Sequence, residues 1–298
     1  MTATTSAPDS QEAVGATRPA PSSDVGPGAS WFARISLVIV CFLFTVPTLG
    51  LLISSFRPRE DIITSGWWTV VTGGNFSLDN YQAVLDVGMG PSFVNSLAVA
   101  VPATVIPILA AAFAAYAFAW MDFKGRELLF VLFVGLLVVP LQVAFVPLTQ
   151  FFNNVGITND FLKLWLAHTG FGMPLAVYIL RNYIGSLPRE VIESAQVDGA
   201  SHFMTFWRLI IPLSVPALAA YAIFQFLWTW NDYLVALIFM TSGQEVVTIT
   251  LAELVGSRGQ DWHLLTAGAF ISMAVPLIVF FGLQRFFVRG LTAGSVKG

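Results

Sequence analysis

The stretch Ser186–Pro212, SLPREVIESAQVDGASHFMTFWRLIIP, is a polar and amphipathic island in a chain that is otherwise mostly oily. It reads as two short helices and a hinge. Ser186 suits an N-cap and Pro188 a first turn, so a helix is expected through Glu190, Glu193 and Ala195 until Gly199 stops it with left-handed or close-packed backbone. Ser201 can cap a second helix, in which Phe203, Phe206, Trp207 and Ile210 recur at helical spacing as one apolar stripe, before Pro212 ends the segment or starts the next. Such a pair of helices suits a surface gripped by another protein. It equally suits a solvated loop helix.

The rest of the chain decides where this island lies. Of 298 residues 56% are hydrophobic and only 10% charged, against about a quarter charged in a soluble domain. With a mean hydropathy of +0.76, the expected class is an all-α polytopic membrane protein. A net charge of −3 and the lack of any long basic run exclude nucleic acid as a partner. Cys41 is the single cysteine, so neither a disulfide framework nor a thiolate metal site is available.

Residues 1–30 are rich in Ala, Ser, Pro, Thr and Gly, too poor in large apolar side chains to offset the entropy of ordering, and are expected to form a disordered tail. Six apolar stretches follow, near 35–56, 93–120, 127–148, 164–182, 213–239 and 264–287, each expected to cross the bilayer. With the tail inside, the inner segments carry ten Lys and Arg and the outer ones four, Arg57, Arg59, Lys163 and Arg258. That places both termini and the island 186–212 in the cytoplasm, and the loop 241–262 outside. Prolines 102, 107, 140, 147, 174 and 276 fall inside the apolar stretches, either kinking helices around a path or sitting as ordinary span prolines.

No phosphate loop, no metalloprotease or hydrolase motif and no paired carboxylates within a span occur, so the chain is not expected to be an enzyme. His168, His202 and His263 are far apart and fall at span edges or in the island. Asp232 alone among carboxylates falls inside an apolar stretch, which marks it as a functional candidate. It sits in Trp228-Thr229-Trp230-Asn231-Asp232-Tyr233. Aromatic faces and Asn or Asp side chains suit sugar rings and hydroxyls, so Trp228, Trp230, Asn231, Asp232 and Tyr233 are candidates for a sugar path, the alternative being a structural polar knot beside an interfacial aromatic belt.

Within the island, Glu193-Ser194-Ala195, three residues, Gly199, nine residues, then Leu209-Ile210-Ile211-Pro212 resembles the E-A-A-x3-G-x9-I-x-L-P coupling loop of permease subunits of ATP-binding-cassette importers, with departures at Ser194, Leu209 and Ile211. Trp228–Tyr233 resembles the W-x-W-N-D-F stretch of the MalG-like, carbohydrate-class members. Asp261–Gly268 resembles their T-D-W-G-L-L-M-A-G, and Gln284–Gly298 their Q-R-x-x-V-x-G-L-T-A-G-x-V-K-G end. The resemblance runs over about residues 31–298.

What the resemblance implies is a type I (MetI/MalG-like) permease fold of six transmembrane helices with a cytoplasmic coupling helix. ATP and Mg would bind a partner ATPase, with no cofactor and no metal in this chain. Partners would be a second, MalF-like permease, two copies of a cytoplasmic ATPase subunit, and an extracytoplasmic sugar-binding protein or lipoprotein. Glu190, Glu193, Ser194, Ala195, Asp198, Gly199, Arg208 and Pro212 would couple to the ATPase. The tail residues Gly290, Thr292, Ala293 and Gly294 would reach between ATPase subunits, and Gly243, Gly256, Ser257 and Gly259 would meet the binding protein. Arg57–Trp68, RPREDIITSGWW, resembles the outer loop of α-glucoside-type members, implying an α-linked glucose disaccharide as substrate.

A stand-alone secondary carrier or channel is the alternative. It calls for inverted halves and a relay of intramembrane ionisable groups, and neither is visible beyond Asp232. A structural or signalling subunit would call for no polar cluster within the spans.

Overall fold

The computed structural model describes residues 27–241, 243–255 and 261–293, with only the backbone over 27–30 and 285–293. Among these residues all regular structure is helical. The helices are α1 (Pro27–Ser55), α2 (Arg59–Thr64), α3 (Asp79–Val84), α4 (Gly90–Trp120), α5 (Arg126–Gly135), α6 (Phe145–Val155), α7 (Asp160–Gly185), α8 (Arg189–Val197), α9 (His202–Thr205), α10 (Ile211–Trp230), α11 (Leu234–Phe239), α12 (Val247–Leu254) and α13 (Trp262–Ala293). The chain divides into two units, Met1–Leu49 and Gly50–Gly298. The first holds the greater part of α1, an apolar helix with Pro47 inside it. The second holds the remaining helices, with α4 packed most extensively on α7, and α10 packed on α4, α7 and α13.

Four segments are long and apolar enough to cross a membrane, Trp31–Ser55, Asp79–Trp120, His202–Trp230 and Trp262–Gln284. A fifth counts if the pair Arg126–Val138 and Leu141–Val155, bent by 101°, is one span. Within the span expected over 127–148, the helix breaks because Pro140 disfavours helical backbone at Val139, which is extended. α7 has 26 residues, about 39 Å at 1.5 Å per residue, but its inward face carries polar groups such as His168. The stretch 213–239 also divides, α10 ending at Trp230 and α11 restarting at Leu234. At that break the Asp232 carboxylate accepts the amides of Val235 at 3.4 Å and Ala236 at 3.0 Å.

The span prolines fasten helices together. A proline has no N–H, so the carbonyl four residues earlier loses its helical donor. Pro102 frees Ala98, which accepts from Trp165 Nε1 of α7 at 2.9 Å. Pro107 frees Ala103, which accepts from Gln225 Nε2 of α10 at 3.2 Å. Pro276 frees Ser272, which accepts from Trp230 Nε1 at 3.2 Å. Three freed carbonyls are thus met by side chains of neighbouring helices, and each bond joins two helices.

Outside the spans, the segment Arg57–Trp68 folds around its first residue. The buried Arg57 guanidinium donates to the Asp61 carbonyl at 3.0 Å, the Ser65 carbonyl at 3.3 Å and Ser65 Oγ at 2.5 Å. Asn80 of α3 holds this turn from beneath, donating to the Arg57 carbonyl at 2.8 Å.

Candidate functional site

Helix α8 is joined to the end of α7 by three residues. Ser186 does not cap α8, as the sequence suggested. Its hydroxyl donates to the Tyr183 carbonyl at 2.7 Å and so closes α7, while Pro188 occupies the cap position of α8 without a side-chain bond. The far end of α8 matches the expectation. Gly199 has φ of +79°, its N–H reaches the Gln196 carbonyl at 3.0 Å, and the Ala200 N–H reaches the Ala195 carbonyl at 2.9 Å. These two bonds form a Schellman stop, which needs a left-handed residue at this position.

Only Ile192 of α8 is buried, seated among Leu180 and Ile184 of α7 and Phe206 and Ile210 beyond the hinge. Glu190, Glu193, Ser194 and Asp198 are exposed and Ala195 is half-buried. Val197, an apolar side chain, is 88% exposed. Glu193 has a partner the sequence reading did not name, with Arg189 Nε 3.3 Å from Glu193 Oε1 one turn earlier. Both groups are exposed, so this pair leaves the carboxylate open to a stronger partner.

The second helix is shorter than expected. Ser201 does cap α9, accepting the Met204 amide at 3.3 Å. The chain then passes through a π-helical turn, Phe206–Ile210, directly into α10, with exposed Pro212 in its first turn and Arg208 also exposed. The wider turn splits the stripe, burying Phe206 and Ile210 and exposing Phe203 and Trp207. Phe206 stacks on Phe113 of α4, with centroids 4.2 Å apart. Tyr116 Oη lies 3.0 Å from His202 Nδ1, and Trp120 Nε1 donates to the Ile184 carbonyl at 3.0 Å. The α8–α9 hinge therefore sits on a platform made by α4 and α7.

The aromatic and polar cluster at the end of α10 does not face one space. Trp230 is 2% exposed and stacks on Phe226, so its faces are filled by protein. Asn231 is exposed, but its amide turns back to the Leu227 carbonyl at 2.8 Å. Tyr233 is exposed. Trp228 lines a cavity of about 400 Å³ between the bend at Pro140 and the Gly170–Pro174 turn of α7. The trough is lined largely by Leu, Val and Ala side chains.

One expectation is corrected here. Asp232 is not the lone ionisable group at depth, because His168 of α7 places Nε2 3.9 Å from Asp232 Oδ2. His168 is 1% exposed, its ring meets Trp228 edge-on at 5.8 Å, and its Nδ1 has no hydrogen-bond partner. No local pattern joins residues 64 positions apart, which is why the sequence placed His168 at a span edge.

At the opposite end of α7 from α8, Asp160 is 6% exposed. Its carboxylate accepts from Lys163 Nζ at 2.8 Å, from the Thr241 amide at 2.8 Å and from Thr241 Oγ1 at 2.6 Å. Burial pushes this carboxyl up, but the bonds from Lys163 and Thr241 outweigh it and hold the group below the usual range. Beyond Thr241, Gly243 turns with φ of +98° and donates its amide to Glu245 Oε1 at 2.7 Å. That amide and the residue's own hold the Glu245 carboxyl below its ordinary value. The expected loop 241–262 contains α12, whose start is fixed by Ser96 Oγ accepting the Val247 amide at 2.8 Å.

Gly256, Ser257, Gly259 and Gly294 lie outside the described residues, as does most of the expected 1–30 tail. Gly290, Thr292 and Ala293 lie on the backbone of α13. Among the described residues no cluster of three or more His, Cys, Asp or Glu forms a metal site.

Known proteins resemble this arrangement along nearly its whole length. A chain of a bacterial alginate ABC transporter, solved with an alginate pentasaccharide-bound periplasmic protein, superposes with a TM-score of 0.65, covering 88% of this chain and 96% of that one at 13% identity, which shows the fold alone. The osmoprotective compounds uptake permease protein GgtD of Synechocystis sp. is 60% identical over 271 residues, 89% of this chain and 91% of that protein. The alpha-glucoside transport system permease protein AglG of Rhizobium meliloti is 44% identical, over 90% of this chain and 97% of its own. The family model of the binding-protein-dependent transport system inner membrane component matches residues 28–293, and the chain belongs to that family.

Proposed function

We propose that this chain is the sugar-conducting permease subunit of an ATP-driven importer and that α8 is the helix through which it receives the ATPase stroke. Membership of the family implies a partner permease, an ATPase and a substrate-binding protein. The proposal adds one MalF-like partner, two ATPase copies, both termini in the cytoplasm, and ATP with Mg bound on the ATPase. The observation that carries it is the seat of α8. A nine-residue helix that buries Ile192 alone and turns its acidic and polar face outward is built to be held from outside.

The mechanism follows from the way α8 is attached. Closure of the ATPase dimer moves α8, Gly199 lets the hinge change angle, and α7 and α10 carry the motion into the spans because they leave opposite ends of the island. The path then alternates between inward- and outward-facing, and the members of the cluster left open to meet sugar are Trp228, which lines the trough, and the exposed Asn231 and Tyr233 just after α10. Trp230 belongs to the core that holds α10 to α13.

For the substrate, the osmoprotective compounds and alpha-glucosides for which the two relatives are named are satisfied together by an α-glucoside that serves as an osmoprotectant. The outer segment RPREDIITSGWW points the same way. The test is to express the chain with its neighbours, purify it by a tag, identify what stays bound by mass, and measure ATP hydrolysis with maltose, sucrose and trehalose. A second permease, an ATPase and α-glucoside-stimulated hydrolysis support the reading. Recovery of this chain alone, still active in uptake, overturns it.

A further inference from the structure

We propose that Asp160 is a positioning residue that ties the outer segment beginning at Thr241 to α7, and through α7 to the coupling helix. This rests on the importer reading above, in which that segment meets the binding protein.

Asp160 is not needed to start α7. Asn159 already caps that helix by accepting the Leu162 amide at 2.9 Å. An acidic residue in a first turn ordinarily stays in water and interacts with the helix dipole. Here the carboxylate is instead buried and divided, Oδ1 taking Lys163 and Oδ2 taking both the amide and the hydroxyl of Thr241, 81 positions away. Charge-assisted bonds of this length are the stronger class, and a buried carboxylate without them is costly.

The other anchors of the same segment come from different elements. Asn95 Nδ2 of α4 donates to the Glu245 carbonyl at 3.0 Å, and Ser96 of α4 holds Val247. Thr248 Oγ1 donates to the Asp232 carbonyl at 2.6 Å, at the break after α10. Of these polar anchors only Asp160 is on α7. α7 is also the helix that runs into α8 through Ser186–Pro188. One rod about 39 Å long therefore has the Thr241 link at its first residue and the coupling helix at its end. A push on the segment at Thr241 reaches α8 through a single element, a shorter route than through α4.

The test uses the complete reconstituted complex and its binding protein, loaded with whichever of maltose, sucrose and trehalose stimulates the wild type. Thr241→Val keeps the shape and removes the hydroxyl, and Thr241→Ser keeps the hydroxyl. The ratio of stimulated to basal ATP hydrolysis should fall at least about fivefold in Thr241→Val and in Asp160→Asn, the low end of ordinary coupling between sites. Basal hydrolysis per complex should stay unchanged, and Thr241→Ser should recover the ratio to within about twofold. A merely structural role would lower basal and stimulated rates together. A wild-type ratio in both Thr241→Val and Asp160→Asn overturns the inference and leaves the importer reading standing. A wild type that no loaded binding protein stimulates strikes the importer reading itself, and the inference with it.

Discussion

Gln225 Nε2 donates to the Ala103 carbonyl at 3.2 Å, the carbonyl that Pro107 leaves without a helical partner. The same side chain takes the Tyr221 hydroxyl on Oε1 at 2.9 Å, and Tyr221 also lies 2.8 Å from the Gly172 carbonyl. The buried Gln225 amide and the Tyr221 hydroxyl together thus join α4, α7 and α10.

Two consequences can be measured at this junction. Gln225→Leu leaves a buried carbonyl unmet and should cost about 1–3 kcal/mol, read as a lower melting temperature of the purified complex. A Cβ at Gly172 would stand 2.7 Å from Gln225 Oε1, so Gly172→Ala should also destabilise. Combined with Gln225→Ala, which vacates that space, the loss should be less than the sum of the two. Strict additivity would show that the two residues do not press on one another.

Trp230 and Pro276 make a second pair with the opposite logic. Trp230→Phe keeps the aromatic packing and removes the donor to Ser272, at a cost of about 1–3 kcal/mol. Pro276→Ala returns a backbone N–H to that carbonyl. The cost of Trp230→Phe should therefore shrink in the Pro276→Ala background. An equal cost in both backgrounds would mean the indole is held by packing alone.

At the hinge, Gly199→Ala forces a side chain into φ of +79°, at about 1–2 kcal/mol. The distortion falls on the Schellman stop, so coupling should suffer more than assembly. The expected result is a complex that still purifies intact and shows reduced sugar-stimulated hydrolysis. Glu193→Ala should lower the same stimulated rate while sugar binding to the external protein stays as it was. Unchanged stimulation in both variants would remove the hinge and its carboxylate from the coupling surface.

The pH behaviour of the segment from Thr241 to Glu245 follows from Asp160 and Glu245, both held below their ordinary values. A depressed folded pKa contributes stability that is present above the unfolded value and lost as pH falls through the folded one. The hold on Thr241 should accordingly be constant from neutral pH down to about pH 5 and weaken only below about pH 4, the range where free carboxyls titrate. Protection of the Thr241 amide against hydrogen exchange, corrected for the intrinsic rate, reports this. Loss of protection between neutral pH and about pH 5 would contradict it.

The fold of the island 186–212 was legible because local chemistry sets it. Gly199 has to be left-handed to stop α8, Ser201 caps α9, and both requirements are written in adjacent residues. The π turn at Phe206–Ile210 was not legible, since the stripe of Phe203, Phe206, Trp207 and Ile210 assumes an ideal helix and half of it faces outward once the turn widens. Composition marked the oily stretches, yet it could not show that Pro140 breaks one of them by 101° while Pro102 and Pro107 leave α4 continuous. In α4 the freed carbonyls of Ala98 and Ala103 are met by Trp165 and Gln225, which arrive from other helices. His168 beside Asp232, and Asp160 beneath Thr241, are likewise pairings across many positions that only packing creates.

The claim most open to direct test is that α8 is held by an ATPase. Val197, the exposed apolar side chain at the end of α8, is the place to put a photo-crosslinking amino acid in the complete complex. Illumination should join this chain to the ATPase subunit, more so with nucleotide bound, and a control at exposed Val71 should give no such product. A crosslink from position 197 to lipid or to this chain alone, in a complex that contains the ATPase, would contradict the account.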